Sequence, residues 1–276
     1  MVRFIGHRGN RFHSPENTLP AFRKAKEKGL DCVEFDVMLT KDGEAIVFHD
    51  ETLERTTNGQ GFVGECTLDY IKTLDAGSWY GEQFINERVP TLVEVIELLN
   101  ELDLQANIEI KPCGDTAIQT TQKTLEIVKK LWPKHKAPPL ISSFNPDCLA
   151  QALIQCPEYP RAYLFDEWQD NCCELAAKYQ CISINVDHLH LTAERINQNK
   201  QAGFSTYAYT VNDRQRADEL AQWGIAGLFS DNPTLLQPTF ANLLADNQDA
   251  LVYVAESAKT TDHPDHDHDQ TLNDVV

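Results

Sequence analysis

The regular alternation of short apolar segments with amphipathic helical segments constrains the fold of this 276-residue chain more than any other feature. Strands are predicted at Arg3–Gly6, Cys32–Val37, Ala106–Ile110, Leu140–Ser143, Ala162–Phe165, Ile182–Val186, Ser205–Val211 and Gly227–Ser230. Helices are predicted at Leu19–Lys28, Leu92–Leu102, Ala117–Trp132, Pro146–Gln155, Asn171–Tyr179, Thr192–Ala202 and Arg214–Trp223. Eight strand–helix units in about 240 residues predict an α/β fold of the (β/α)8 barrel type. A doubly wound open sheet is the alternative.

Polar side chains at the ends of several different strands favour the barrel over the open sheet. His7 follows the first predicted strand, Lys111 follows the third, and Asp231 follows the last. A barrel brings the C-terminal ends of all its strands to one point, whereas an open sheet spreads them along an edge.

An insertion follows the second parallel strand. A turn at Lys41-Asp42-Gly43 leads to a return strand, Ala45–Phe48, and residues 51–89 then run to the next helix. This segment combines glycines with aromatic residues, namely Gly59, Gly61, Gly64, Gly77, Gly81, Phe62, Trp79, Tyr80 and Phe84. That composition is typical of a lid or substrate wall, although a plain packed loop fits it equally well.

The chain is predicted to divide into a barrel domain, residues 1–240, and a C-terminal part, residues 241–276. The second part is expected to hold a last helix followed by a disordered His/Asp-rich tail, and such a tail can bind divalent ions weakly. The formal net charge is −18, and the tail contributes eight acids and one lysine, so that residues 1–240 carry −11. An acidic body argues against nucleic acid or an anionic membrane as a partner.

The remaining composition points to the cytoplasm. Hydrophobic residues make up 42% of the chain, but no stretch of about 18 apolar residues predicts a membrane span. The N-terminus enters a strand directly and lacks the features of a signal peptide. The eight cysteines show no zinc-binding spacing, so we expect free thiols in a reducing compartment.

Two acids in the second strand, Glu34 and Asp36, give the first indication of a functional site. Strand side chains alternate between faces, so these carboxylates point the same way, about 6–7 Å apart. The antiparallel return of the hairpin would bring His49 beside them. A buried ion pair or an exposed edge strand is the simpler explanation of this strand taken alone.

A third acid, Glu109, is expected at the same barrel mouth. Two such charges at 4 Å repel by about 4 kcal/mol at an effective dielectric near 20, so the site must hold protons or a divalent cation. All-oxygen ligands suit Mg²⁺ or Ca²⁺ better than Zn²⁺. His7 and His49 would flank the ion.

The combination of these histidines with Arg8 and Lys111 fits displacement at phosphorus. An enolase-like lyase would also use carboxylate ligands in a barrel, but it would not need the His-Arg pair at strand one.

The motifs that carry this site resemble those of glycerophosphodiester phosphodiesterases over roughly residues 3–240. They are His7-Arg8-Gly9, Pro15-Glu16-Asn17-Thr18, Val33-Glu34-Phe35-Asp36-Val37, Thr40-Lys41-Asp42-Gly43, Phe48-His49-Asp50, Leu53 with Arg55-Thr56-Thr57, Pro90-Thr91-Leu92, Ile108-Glu109-Ile110-Lys111, Ser142-Ser143-Phe144, Tyr209-Thr210-Val211-Asn212 and Ser230-Asp231-Asn232-Pro233. The resemblance implies a barrel enzyme that hydrolyses glycerophosphodiesters, such as glycerophosphocholine and glycerophosphoethanolamine, to sn-glycerol 3-phosphate and an alcohol.

The resemblance also implies roles for individual residues. It makes His7 and His49 the general acid–base pair, and it places Mg²⁺ or Ca²⁺ on Glu34, Asp36 and Glu109. Arg8 and Lys111 fall where phosphate-contacting residues lie, and Glu16, Phe144 and Tyr209 are assigned to substrate binding. Many relatives have Trp where this chain has Tyr209, which puts the packing against the alcohol in doubt.

Two other functions stay open at this point: a phosphodiesterase that acts on intact or lyso-lipids, and a non-catalytic metal- or diester-binding protein. The sequence is compatible with a homodimer, but it gives neither the oligomeric state nor the alcohol preference.

Overall fold

The structure is a computed structural model, and it describes residues 2–236. The predicted C-terminal helix and tail, and the domain boundary at residue 240, lie outside these residues and stay predictions.

The sheet is a closed barrel of eight parallel strands, as predicted, with one antiparallel strand added. The strands are β1 (Arg3–Gly6), β2 (Cys32–Leu39), β3 (Ala45–Val47), β4 (Gln105–Ile110), β5 (Leu140–Ser143), β6 (Arg161–Phe165), β7 (Ser183–Asp187), β8 (Ser205–Tyr209) and β9 (Gly227–Ser230). Their order is β1-β9-β8-β7-β6-β5-β4-β2-β3, and an additional β1–β2 pairing closes the barrel. The open doubly wound sheet is thereby excluded.

Helices connect the parallel strands. They are α1 (Leu19–Glu27), α2 (Leu68–Ile71), α3 (Leu92–Glu101), α4 (Ala117–Leu131), α5 (Pro146–Gln155), α6 (Cys172–Lys178), α7 (Ala193–Gln201), α8 (Arg214–Gln222) and α9 (Pro233–Leu236). Predicted bounds agree within two residues, and several predicted helices included their caps. Thr91, for instance, precedes α3 and forms a capping box with Glu94, a local signal that fixes the helix start.

Two strands differ from prediction by two residues: β8 ends at Tyr209 instead of Val211, and β2 continues to Leu39 beyond its predicted end at Val37. The antiparallel return explains this, because Met38 pairs with Ile46 and Leu39 pairs with Ala45. The next backbone bond of the hairpin runs from Phe48 N to Asp36 O (3.0 Å). The hairpin therefore delivers His49 to the C-terminal half of β2, as the sequence predicted.

The insertion is a packed segment with its own hydrophobic cluster. Leu53, Val63, Ile71 and Leu74 are buried there against Ile46 of β3. The insertion also contains α2 and two short 3-10 helices that the sequence did not predict. These buried side chains anchor the segment on the hairpin, while Phe62, Trp79 and Ile85 are exposed.

The main hydrophobic core lies between the barrel and the surrounding helices, in two clusters that β2–β5 and β6–β9 dominate. All eight cysteines are free thiols, and five of them are buried, as expected. Within residues 2–236, no helix combines the length and the apolarity that crossing a bilayer requires.

Gly9, in the turn after β1, is a point of close approach. Its φ is +89°, and a Cβ atom there would lie 2.7 Å from the Cβ of Ala21 in α1. Its N–H points to the carbonyl of Glu34 at 3.2 Å. The turn that carries Arg8 therefore packs closely between α1 and β2, and only glycine fits at position 9.

Gly9→Ala is expected to lower the free energy of unfolding by about 3 kcal/mol, because a steric clash adds to the cost of positive φ. Gly43→Ala is the matched control: its φ is +79°, but no atom lies within 4 Å of the new Cβ. The control should lose only about 1–2 kcal/mol in urea unfolding. Equal losses would contradict the clash.

Candidate active site

A cavity of about 490 Å³ opens at the C-terminal ends of the barrel strands. Eight of its charged and polar residues are His7, Arg8, Glu34, Asp36, His49, Asn107, Glu109 and Lys111. The rest of its lining is Phe144, Leu164, Asp166, Tyr209, Thr210 and Phe229. Nine of the ten residues that the sequence nominated for the site are brought together here; the tenth, Glu16, lies outside the lining.

Strand register brings the three acids together. The parallel pairing of β2 and β4 sets Asp36 beside Glu109, and Glu34 is two residues earlier on β2 and faces the same side. One carboxylate oxygen from each of the three residues lies within 4.8 Å of the others. The crowding predicted from the sequence is confirmed.

The environment of these acids makes their simultaneous ionisation costly. Burial and the charges of Asp36 and Glu109 raise the pKa of Glu34 well above its usual range. Burial and Asp36 likewise raise the pKa of Glu109 to about 8. Burial acts on Asp36 in the same direction, but Arg8 outweighs it with help from His49 and Lys111, and holds the pKa of Asp36 below its ordinary value.

The acidic triad fits a divalent cation. Two buried carboxylates and one partly buried carboxylate at this spacing supply the hard oxygen ligands that Mg²⁺ and Ca²⁺ take. Burial and the neighbouring acids raise the pKa of Glu34 and Glu109, and a bound cation would favour their ionised forms. The triad can therefore hold a cation, and the chemistry of the donors leaves the choice between the two ions open.

Each of the two cavity histidines is held by a carboxylate. Nδ1 of His7 lies 2.7 Å from Oδ1 of Asp231, and Nδ1 of His49 lies 2.6 Å from Oδ1 of Asp50. An ionised carboxylate only accepts, so each Nδ1 donates and each Nε2 carries the lone pair. Burial lowers the pKa of both imidazoles in spite of these acids, so both rings are mainly neutral near pH 7.

Two cations adjoin Asp36 in the cavity. Arg8 Nε lies 3.7 Å from Asp36 Oδ2, and Lys111 Nζ lies 3.9 Å from Asp36 Oδ1. The Arg8 backbone N–H also donates to Glu34 Oε2 at 2.9 Å, and Asn17 Nδ2 donates to Asp36 Oδ2 at 2.9 Å. Arg8 and its neighbours therefore fix the orientation of both β2 acids.

Glu16 is located behind Arg8. Its side chain is only 2% exposed, and it accepts from Arg8 Nη1 at 2.6 Å and from both terminal nitrogens of Arg55 at 2.9 and 2.7 Å. Arg11 Nη2 is 3.4 Å away. Its role in substrate binding stays a prediction, and its contacts make it a support for Arg8.

Ion pairs through Glu16 connect the two histidines. Arg55 donates from Nε and Nη2 to Asp50 at 2.6 and 2.8 Å, and Asp50 holds His49. On the other side, Arg11 Nε lies 3.6 Å from Asp231, which holds His7. Glu16 is thus the common point of a chain of alternating charges between the two rings.

The aromatic residues nominated from the sequence lie on the cavity wall. The rings of Phe144 and Tyr209 meet edge to face with centroids 6.0 Å apart. The Tyr209 hydroxyl donates to the carbonyl of Phe165 at 2.6 Å. Both residues line the cavity, and their role in substrate binding stays a prediction.

Sequence reasoning gave no role to several residues that shape the site, namely Asp50, Asp231, Arg55, Arg11, Asn17, Asn107 and Asp166. Asp50 was detectable because it directly follows His49. Asp231 follows the last strand, where strand ends converge. Asn107 donates from Nδ2 to Ser142 Oγ at 2.9 Å, which leaves its buried Oδ1 without a partner among residues 2–236.

The ion pairs of Glu16 predict an acid-dependent stability. Burial would raise the pKa of Glu16, but the Arg55 hydrogen bonds, Arg8 and Arg11 together lower it from 4.5 to about 2. The carboxylate therefore contributes fully above pH 4.5, and its contribution is lost as the pH falls towards 2.

Glu16→Gln is expected to cost about 3 kcal/mol at pH 7 and progressively less below pH 4.5, measured by urea unfolding from pH 7 to 3. The control is Glu101→Gln, which removes an exposed pair with Arg23 at 3.2 Å and should change stability little at any pH. A Glu16→Gln deficit that is constant with pH would contradict this account.

Comparisons with known proteins agree with the site. Residues 7–235 match the model of the glycerophosphoryl diester phosphodiesterase family. A glycerophosphodiester phosphodiesterase of Caldanaerobacter subterraneus is 36% identical over 232 residues, which cover 84% of this chain and 95% of that protein. One from Bacillus subtilis is 33% identical over 248 residues, with 84% of each chain covered.

Solved structures show the same architecture. A phosphodiesterase of Oleispira antarctica, in complex with the product sn-glycerol-3-phosphate, superimposes with a TM-score of 0.84 at 35% identity, covering 86% of this chain and 96% of that one. A glycerophosphodiester phosphodiesterase of Thermotoga maritima gives a TM-score of 0.68 at 29% identity, covering 85% and 96%. The chain therefore belongs to the glycerophosphoryl diester phosphodiesterase family, and it is a phosphoric diester hydrolase of the (β/α)8 barrel type.

Proposed function

We propose that the protein hydrolyses glycerophosphodiesters, such as glycerophosphocholine and glycerophosphoethanolamine, to sn-glycerol 3-phosphate and an alcohol, with a divalent metal ion and two histidines. One observation carries the proposal: two imidazoles, each oriented by a carboxylate, line one cavity with a cluster of three acids. The Oleispira relative, which binds sn-glycerol-3-phosphate as its product, supports the choice of substrate.

Glu34, Asp36 and Glu109 would hold Mg²⁺ or Ca²⁺. When bound, the ion offsets charge on the phosphate oxygens as a Lewis acid. Arg8 and Lys111 would contact the same oxygens, and Asp36 would hold both side chains in place for this.

His7 and His49 would perform the proton transfers. As the water oxygen bonds to phosphorus, Nε2 of one ring accepts the water proton. The bond from phosphorus to the alcohol oxygen breaks, and the other ring, entering the step as imidazolium, gives its proton to that oxygen. Asp231 and Asp50 fix the tautomer that leaves Nε2 available in each neutral ring, and they stabilise the charged ring when it forms.

The setting of the enzyme is also a proposal. Residues 1–240 would form the catalytic domain, and Phe144 and Tyr209 would line the substrate site. Eight free thiols are typical of a reducing compartment, which supports a cytoplasmic location. A small-molecule diester is the proposed partner, nucleic acid is not, and a homodimer stays open.

The main test measures release of glycerol 3-phosphate from glycerophosphocholine by purified protein. His7→Ala and His49→Ala should each lower kcat by about 10²–10⁴-fold, because each removes one proton-transfer group. His135→Ala, at an exposed histidine outside the cavity, should leave kcat unchanged.

Chelation should abolish turnover, and Mg²⁺ or Ca²⁺ should restore it. Activity that survives both chelation and His49→Ala would overturn the mechanism, and faster turnover of lyso-lipid than of glycerophosphocholine would shift the substrate assignment.

Arg55 should act as a positioning residue for His49. It donates hydrogen bonds to both carboxylate oxygens of Asp50 and of Glu16. Arg55 therefore links the loop after β3 to the turn after β1. Without Arg55, Asp50 keeps its charge but loses the geometry that orients the imidazole.

Arg55→Met should therefore lower kcat by about 10–100-fold and change KM by less than about threefold. Arg55→Lys should recover only part of the loss, because lysine cannot reproduce the fork. Arg23→Met, which removes an exposed arginine on α1, is the control and should have no effect. A large rise in KM with normal kcat would assign Arg55 to substrate binding instead.

A further inference from the structure

The cavity has two chemically different walls on opposite sides of the barrel. In the strand order, β6 stands across from β1, and β8 stands across from β4. The acidic triad, Arg8 and the histidines lie on the side of β1, β2 and β4. The facing side presents Leu164, Tyr209 and a single carboxylate, Asp166, that directly follows β6; Phe144, after β5, and Phe229, on β9, lie on either flank.

Asp166 has no cationic partner. Among residues 2–236, no lysine, arginine or histidine forms an ion pair with this exposed residue, whereas Asp36 on the opposite side lies 3.7 Å from Arg8 and 3.9 Å from Lys111. The nearby loop adds no compensation, because residues 166–170 contain three acids and no lysine or arginine. Arg195, which reaches this loop, stacks on Trp168 at 4.8 Å. The side of the cavity that carries Tyr209 and Asp166 therefore has a negative charge.

The charge of Asp166 affects the pKa of Tyr209, a side chain that lines the cavity. Burial raises the pKa of Tyr209 far above its ordinary value, and Asp166 and Asp187 add to the effect. The Asp187 carboxylate accepts a hydrogen bond from the N–H of Leu189 at 2.8 Å, and Asp187 does not line the cavity. Asp166 is therefore the carboxylate on this wall that faces a bound molecule.

Asp166 is also separate from the metal-binding group. The atoms that could share one ion belong to Glu34, Asp36 and Glu109, and Asp166 is not among them. Asp166 is therefore not a fourth ligand of that ion.

A count of charges indicates what Asp166 could recognise. Four carboxylates and two fixed cations line the cavity, and a divalent ion would offset that excess of two negative charges. A phosphodiester adds one negative charge, which the imidazolium that enters the reaction offsets. These cations lie near the phosphate, whereas Asp166 is the charged lining residue on the side of β6, so a positively charged alcohol would complement it there.

We propose that Asp166, with the rings of Phe144 and Tyr209, forms a subsite for a cationic alcohol, so that ammonium and quaternary ammonium diesters are preferred over neutral ones. The inference rests on the proposed hydrolysis of glycerophosphodiesters. A carboxylate beside aromatic faces attracts an alkylammonium group through its charge and through cation–π contact. The same carboxylate gives no such gain to glycerol or inositol.

The test compares kcat/KM for glycerophosphocholine and glycerophosphoethanolamine with kcat/KM for glycerophosphoglycerol and glycerophosphoinositol. Asp166→Asn should lower the values for the two cationic substrates by roughly three- to tenfold and leave the two neutral ones within about twofold. Added salt should shrink the difference. Glu167→Gln, at the adjacent acid outside the cavity lining, is the matched control and should leave all four values unchanged.

A binding measurement gives a readout that is independent of turnover. In the His49→Ala background, glycerophosphocholine should bind several-fold more weakly once Asp166→Asn is added, by calorimetry with metal present. Phe144→Leu should weaken the binding of glycerophosphocholine more than that of glycerophosphoglycerol.

The outcomes separate the two proposals. No turnover of any diester by wild-type protein would refute the proposed function. Turnover with an Asp166→Asn loss that is equal for cationic and neutral substrates, or with no loss at all, would refute the subsite while the function stands.

Discussion

The mutual repulsion of three crowded carboxylates is the constraint on which the rest of the site depends. Glu34 and Asp36 share one face of β2, and the register of β4 sets Glu109 beside them. Carboxylates this close and this buried cannot all ionise without nearby positive charge. Arg8 and Lys111 supply part of it around Asp36, while burial and the neighbouring acids raise the pKa of the two glutamates. A divalent cation is the group whose charge and ligand preference match the remainder.

The cations around the triad are themselves held by acids. Arg8 forms an ion pair with Glu16, and Glu16 also forms ion pairs with Arg55 and Arg11. Through Asp50 and Asp231 the same alternation of charge reaches His49 and His7. The parts of the site are therefore interdependent: the arginines that neutralise Glu16 also orient the acids that fix the two histidines. This interdependence explains why residues outside the cavity should affect kcat.

Much of the site followed from local patterns in the sequence. The two-residue period of a strand was enough to put Glu34 and Asp36 on one face, and the turn before β3 was enough to bring His49 back to them. The partner of His7 was not accessible in this way, because Asp231 is 224 residues away and becomes a neighbour only when β9 pairs with β1. Arg55 was seen in a motif but had no role until folding brought it to Glu16, 39 residues away. The insertion had no periodic pattern, so its short helices were missed.

The sequence by itself determined the number and order of the strands, the faces of their side chains and the identity of the acidic triad, because these follow from short-range backbone geometry. Only the tertiary structure decided that Asp231 orients His7, that Glu16 supports Arg8 from behind, and that Asp166 faces the triad across the cavity. Those contacts arise from barrel closure and strand register, which bring distant segments together. The alternation of apolar residues within one strand fixes which face a side chain takes, but it carries no information about which residue from another strand will lie opposite.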